Sequence, residues 1–182
     1  MSNAWRLAYT VLQEYITQHP GIEIAHSVIA IPGELRSDFY SLFDRVRRNF
    51  VRENLPEHFL TKAGDLSENW AKIRGWVKAN LELESIDIET NLRWFLENPM
   101  DGLIRRLYDP LFNLLQGKSD LVAFENTSRE QVRDAFAQYY HEGYGRWATI
   151  ALMEMLQPEE IMLQVVSACG SFITILKQNL HT

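Results

Sequence analysis

The chain has 182 residues, of which 46% are apolar, and this is enough material for one domain with a hydrophobic core. Its formal net charge of −6 argues against a protein whose main task is to bind a phosphate backbone, because such proteins are usually basic. A single cysteine, Cys169, excludes an internal disulfide.

The N-terminal part of the chain is predicted to contain two helices. Apolar residues at helical spacing predict the first from about Ala4 to Gln18, where a Pro-Gly pair follows. The segment Ile22 to Pro32 alternates in part, and it fits a short strand as well as a buried turn of helix. A second helix is predicted from Gly33 to about Asn54. Its apolar stripe consists of Leu35, Phe39, Leu42, Phe43, Val46 and Phe50.

The middle of the chain contains one clear helix start and one ambiguous run. Asp65, followed by Glu68, indicates a helix start, because an aspartate can cap the free amides of a first turn. The run LELESIDIE, residues 81–89, alternates apolar and acidic residues as an exposed strand does. Ser85 can instead cap a helix that ends at Pro99. We prefer the helix because the neighbouring sequence offers no second strand.

Pro110 interrupts the next apolar stripe, which runs from Leu103 to Leu115. A proline inside a helix removes an amide donor and clashes with the preceding turn. We therefore expect a kink or break after Asp109, and then a loop over residues 118–126.

Two further helices are predicted in the last third of the chain. Thr127, with a glutamate three residues later, forms a capping box that predicts the start of a long helix reaching about Leu156. Pro158 predicts the first turn of a last helix toward Asn179. From Ile161 to Leu176 this segment has no charged residue, which is typical of a helix at the centre of a bundle or at a subunit interface.

These elements predict an all-α fold, an irregular multi-helix bundle of about six to seven helices, with a short extended segment near residues 22–31 as an alternative there. No repeated unit and no internal boundary is evident, so residues 1–182 are expected to form one α-helical domain, which can also be one region of a longer protein.

The candidate binding site is the stretch QYYHEGYGRW, residues 138–147. Glycine inside a helix costs about 1 kcal/mol relative to alanine, so two glycines two residues apart need a reason. Close packing of a neighbouring helix, a kink, a ligand pocket and a partner-binding surface all provide one, and close packing or a kink is favoured. The candidate ligand-binding residues are Tyr140, His141, Tyr144, Arg146 and Trp147.

An arginine-rich face is predicted on the second helix, where Arg45, Arg48 and Arg52 lie on one side. Acidic residues interrupt this face, and Asp44 can pair with Arg48 one turn later. The pattern is therefore typical of a solvated face, and nucleic-acid binding is not expected.

Metal and catalytic signals are weak. Glu23 and His26 have the Glu-x-x-His spacing of dinuclear carboxylate bundles, but the chain lacks the second copy that such a site needs. No nucleophile elbow, phosphate loop or dinucleotide motif is present, and no histidine lies near Cys169 in the sequence. We expect no metal and no cofactor, and whether the protein is an enzyme stays open.

The favoured function is a soluble all-α interaction domain that acts through self-association, as in a homodimer, or through contact with a protein partner or a further domain. The alternative is a small-molecule-binding protein or enzyme with a pocket around His141 and Arg146. The sequence opens without the basic region and apolar run of a secretory signal, so a cytoplasmic location is expected and membrane contact is not.

Overall fold

The computed structural model describes residues 3–25, 28–80 and 88–156 in full, and the backbone alone for residues 160–167 and 170–177. The fold is an all-α multi-helix bundle, as predicted. Its helices are α1 (Ala4–Gln18), α2 (Arg36–Asn54), α3 (Glu57–Asn80), α4 (Thr90–Glu97), α5 (Pro99–Ile104), α6 (Tyr108–Leu115) and α7 (Leu121–Leu156). The strands are β1 (Glu23–Ile24), β2 (Ile29–Ala30), β3 (Glu160–Ser167) and β4 (Gly170–Lys177).

Helix α7 is the long element on which the bundle is assembled. It has 36 residues, which corresponds to a length of about 54 Å, and it packs against α2, α3, α4, α5 and α6. Its buried side chains are supplied by the first two thirds of the helix, from Phe124 to Tyr139. The core around them is rich in phenylalanine, which buries much apolar area per residue.

The N-terminus of α1 is tied to the end of α2 and to α7. A carboxylate oxygen of Glu53 accepts hydrogen bonds from the backbone amides of Ala4 at 2.5 Å and Trp5 at 3.2 Å. These amides have no partner within the helix, so Glu53 supplies the missing acceptor. The Trp5 ring packs edge-on against Phe50 at 5.3 Å and against Phe124 at 5.4 Å.

Two predicted helix starts are wrong. Helix α3 begins at Glu57, so Asp65 lies inside it, and α7 begins at Leu121, so the predicted loop over 118–126 is too long and Thr127 also lies inside a helix. The side chain of Asp120 accepts a hydrogen bond from the amide of Ala123 at 2.8 Å and thereby caps α7. Apolar residues upstream of both predicted caps extend the helices, because tertiary packing outweighs a local capping pattern.

The interruption near Pro110 lies earlier than predicted. The regular helix ends at Ile104, and a 3-10 turn, Arg105–Leu107, leads into α6. Pro110 is the third residue of α6, where a missing amide donor costs nothing because first-turn amides have no helical acceptor.

The segment near residues 22–31 is extended where it is described. Glu23 and Ile24 of β1 pair antiparallel with Ala30 and Ile29 of β2. This outcome decides between the two predicted alternatives in favour of the strand. His26 lies outside the described residues, as do residues 81–87 of the LELESIDIE run.

The predicted last helix is wrong. Strands β3 and β4 form an antiparallel hairpin in which Glu160 pairs with Lys177 and Ser167 pairs with Gly170. The segment contains three isoleucines and two valines, together with one phenylalanine and one threonine, and all four residue types favour strands over helices. The absence of charged residues from Ile161 to Leu176 is typical of buried strands as well as of buried helices, so it does not distinguish a strand from a helix.

Candidate functional site

The two glycines of the QYYHEGYGRW stretch have different surroundings. Helix α7 runs through both without a break. A Cβ atom on Gly143 would lie 2.8 Å from Cδ2 of Leu96 and 3.4 Å from Cδ2 of Leu66, so this glycine allows α4 and α3 to approach. A Cβ atom on Gly145 would meet nothing within 4 Å. Close packing therefore explains Gly143 alone.

Aromatic rings form a continuous ladder along α7 and onto the start of α3. The ring centre of Phe59 lies 5.1 Å from that of Phe136, which stacks on Tyr140 with 5.5 Å between the ring centres. Tyr140 stacks on Tyr144 at 6.2 Å, and Tyr144 contacts Trp147 at 5.4 Å. Residues four apart on a helix face the same side, so the spacing of the sequence produces the ladder.

A largely apolar groove of about 530 Å³ lies beside this ladder. Its two walls are α7 and the connection from α2 to α3. The lining residues are Leu55, Pro56, Phe59, Arg133, Phe136, Ala137, Tyr140, His141 and Tyr144.

The candidate ligand-binding residues are thus divided between two places. Tyr140, His141 and Tyr144 line the groove. Trp147 packs against the core and touches Tyr144, while Arg146 is exposed and does not line the groove. The structure therefore brings three of the five together, and the sequence alone missed the contribution of Leu55, Pro56 and Phe59 across the groove.

The last thirteen residues of α7, 144–156, include no buried side chain, because Gly143 is the last buried residue of the helix. Several large apolar side chains in this stretch are exposed: Tyr144 to 50%, Leu152 to 53%, and Met155 and Leu156 each to 72%. With Ala148 they follow the helical spacing of one face. We call these five residues the apolar α7 face. The two charged residues of the stretch, Arg146 and Glu154, fall on other sides of the helix at 3.6 residues per turn.

A second cleft, polar in character, lies among α2, α4, α5 and α6 and has a volume of about 660 Å³. Its most buried charged member is Arg47, whose side chain is 8% exposed. The Arg47 guanidinium forms an ion pair with Asp44, donates to the carbonyl oxygen of Ile104 at 3.1 Å, and lies over the Phe43 ring at 4.8 Å. Arg47 therefore joins α2 to the end of α5.

The other residues of the polar cleft include two further arginines. Arg48 pairs with Asp101 of α5, which corrects the predicted pairing of Asp44 with Arg48. The guanidinium of Arg105 lies 3.4 Å from the centre of the Trp94 ring. Burial, together with a hydrogen bond with Tyr40, raises the pKa of Tyr108 to about 12. On the predicted arginine face, Arg45 and Arg52 are exposed, while Arg48 is partly buried.

Among residues 3–25, 28–80 and 88–156, no group of three or more histidine, cysteine, aspartate or glutamate side chains is placed to hold a metal ion. His26 of the Glu-x-x-His spacing and Cys169 both lie outside the described part of the chain. Within the described residues no helix is long and apolar enough to cross a membrane.

Comparison with known protein families, curated proteins and solved structures finds no match for this chain.

Proposed function

We propose that this protein is an assembly domain that self-associates through the apolar α7 face. The observation that carries the proposal is the exposure of Leu152, Met155 and Leu156 in the last turns of α7, beyond its last buried residue. Removing such side chains from water is favourable, and apolar patches rimmed by polar residues mark interaction surfaces. Methionine and tyrosine are also enriched in interfaces.

A second copy is the partner that this surface fits most simply. In a two-fold dimer the same patch contacts itself, so an apolar helix face needs no complementary surface elsewhere. The open space beside Gly145, next to the apolar α7 face, leaves room for a second helix to approach closely.

Light scattering on the full chain over a range of concentrations tests the proposal. We expect the wild type to form dimers and the double variant Leu152→Glu, Met155→Glu to be monomeric, because each new carboxylate would have to be desolvated in the interface. Both positions are exposed in the single chain, so the variant keeps its fold, which circular dichroism checks. Leu7→Glu is the matched control, because Leu7 is 68% exposed on α1 and lies outside the proposed interface.

A wild type that stays monomeric at all accessible concentrations would refute the proposal. So would a double variant that assembles as well as the wild type.

The apolar groove beside the aromatic ladder supports a second candidate function, the binding of an apolar small molecule. Tyr140, His141 and Tyr144 line a space of about 530 Å³, which lies within the range of ligand pockets. An environment-sensitive dye that fluoresces in apolar sites tests it. Ala137→Trp would fill the groove, and an unchanged dye signal in that variant would exclude this site.

A further inference from the structure

The polar cleft contains one arginine, Arg105, that is not part of an ion pair among the described residues, and this distinguishes it from a structural ion-pair cluster. Six of its ten lining residues are charged: Asp44, Arg47, Arg48, Asp101, Arg105 and Asp109. Two of the arginines are neutralised, Arg47 by Asp44 and Arg48 by Asp101. Arg105 forms no ion pair with any described residue.

Arg105 is instead held in place by an aromatic ring. Its guanidinium carbon lies 3.4 Å from the centre of the Trp94 ring, so the two flat groups are in contact. A guanidinium stacked in this way still presents its N–H donors at its edge. The contact therefore fixes the position of the cation without using its hydrogen-bonding capacity.

The other two arginines of the cleft are held in place by contacts with neighbouring elements. Arg47 is buried and held by contacts to α2 and α5, and its Nε–H finds no acceptor among the described residues. Arg48 keeps 36% of its side chain exposed despite its ion pair. Donors that are already positioned lose little entropy when a ligand binds.

We propose that this cleft binds a small anion through a phosphate or carboxylate group, with Arg105 as its main partner and Arg48 as the second. Arginine edges match both groups with paired hydrogen bonds. The cleft volume of about 660 Å³ exceeds that of a bare oxyanion and leaves space for the body of a polar metabolite.

Isothermal titration of the full chain with inorganic phosphate and, separately, with citrate tests the proposal and distinguishes the two groups. We expect saturable binding of at least one of them, with a Kd raised about tenfold or more in Arg105→Gln, since a hydrogen bond to a charged group is lost. Arg105→Lys keeps the charge but not the paired donors, so its Kd should lie between those of the wild type and Arg105→Gln. Arg52→Gln is the matched control, because Arg52 is an exposed arginine of α2 outside the cleft.

Asp109 provides an independent check. It lines the cleft four residues after Arg105, where a carboxylate competes with an incoming anion. Asp109→Asn is therefore expected to tighten anion binding by roughly threefold. The proposal is overturned if neither anion saturates below about 10 mM. It is also overturned if Arg105→Gln binds as the Arg52→Gln control does, or if Asp109→Asn weakens binding.

Discussion

Two glycines only two residues apart in α7 perform different tasks, and the difference is set by what lies opposite each of them. Gly143 faces the Cδ2 atom of Leu96, a core residue that is 1% exposed. Gly145 faces solvent, with no neighbour within 4 Å of an added Cβ. The sequence contains two identical residues, and only their neighbours on other helices distinguish them.

Alanine at each position gives opposite effects on stability. Gly143→Ala is expected to lower the free energy of unfolding by about 1–2 kcal/mol, because overpacking against Leu96 exceeds the gain in helix propensity. Gly145→Ala is expected to raise the free energy of unfolding by about 0.5–1 kcal/mol, because alanine has the higher helix propensity and its methyl group meets no described neighbour. Urea denaturation of both variants at low protein concentration measures this, and equal effects at the two sites would contradict the packing seen here.

A tyrosine of the polar cleft provides a pH-dependent prediction. The pKa of Tyr108 is raised to about 12 in the folded protein, against an ordinary value of 10.0, chiefly by partial desolvation of a residue that is 40% exposed. Its contribution to stability is complete below pH 10, and it is lost as the pH rises through about 12, because the unfolded chain releases the proton first. Urea denaturation between pH 9 and 12 should show a smaller loss of stability in Tyr108→Phe than in the wild type. Parallel curves would contradict the shift.

At the scale of secondary-structure elements, periodicity located the helices better than capping patterns located their ends. The limits predicted for α1, from Ala4 to Gln18, agree with the structure, because its apolar spacing and the Pro-Gly pair that follows point to the same end. Asp65 and Thr127 resembled caps but lie inside α3 and α7. A capping residue acts only if the chain before it leaves the helix, and tertiary contacts decide that.

The start of α7 therefore tests which residue caps it. Asp120→Ala should destabilise the protein by about 1 kcal/mol, because the amide of Ala123 loses its side-chain acceptor. Thr127→Ala should change stability by less than about 0.5 kcal/mol, because Thr127 is exposed inside the helix. Thermal unfolding of the two variants measures the difference, and a larger effect at Thr127 would restore the predicted capping box.

Residue spacing in the sequence predicts one wall of the candidate groove but not the other. The i, i+4 pattern correctly placed Tyr140 and Tyr144 side by side on α7. It contained no information about Leu55, Pro56 and Phe59, which reach the same groove from about eighty residues earlier in the chain. Likewise the sequence does not distinguish Arg47 from the neighbouring arginines of α2, although packing against Phe43 and Tyr108 buries it.

At the scale of the whole molecule, α7 has two functions in the architecture. Its first part is the centre on which α2 to α6 pack, and its last thirteen residues carry no buried side chain. Helices in globular proteins are usually stabilised by burial of one face. The end of α7 has less of this support than its beginning, because Trp147, Ile150 and Ala151 pack against the core but are only partly buried. Association with a second copy would supply that support.

This dependence predicts a link between stability and concentration. If dimers form, the melting temperature of the wild type should rise with protein concentration, because mass action favours the folded, associated state. Leu152→Glu, Met155→Glu should melt at a temperature that does not depend on concentration, and at high dilution it should match the wild type, because both side chains are largely exposed in the single chain. Differential scanning calorimetry over a hundredfold concentration range measures both. A double variant that melts well below the wild type even at high dilution would mean that these side chains stabilise the monomer itself, and the apolar α7 face would then be part of the core.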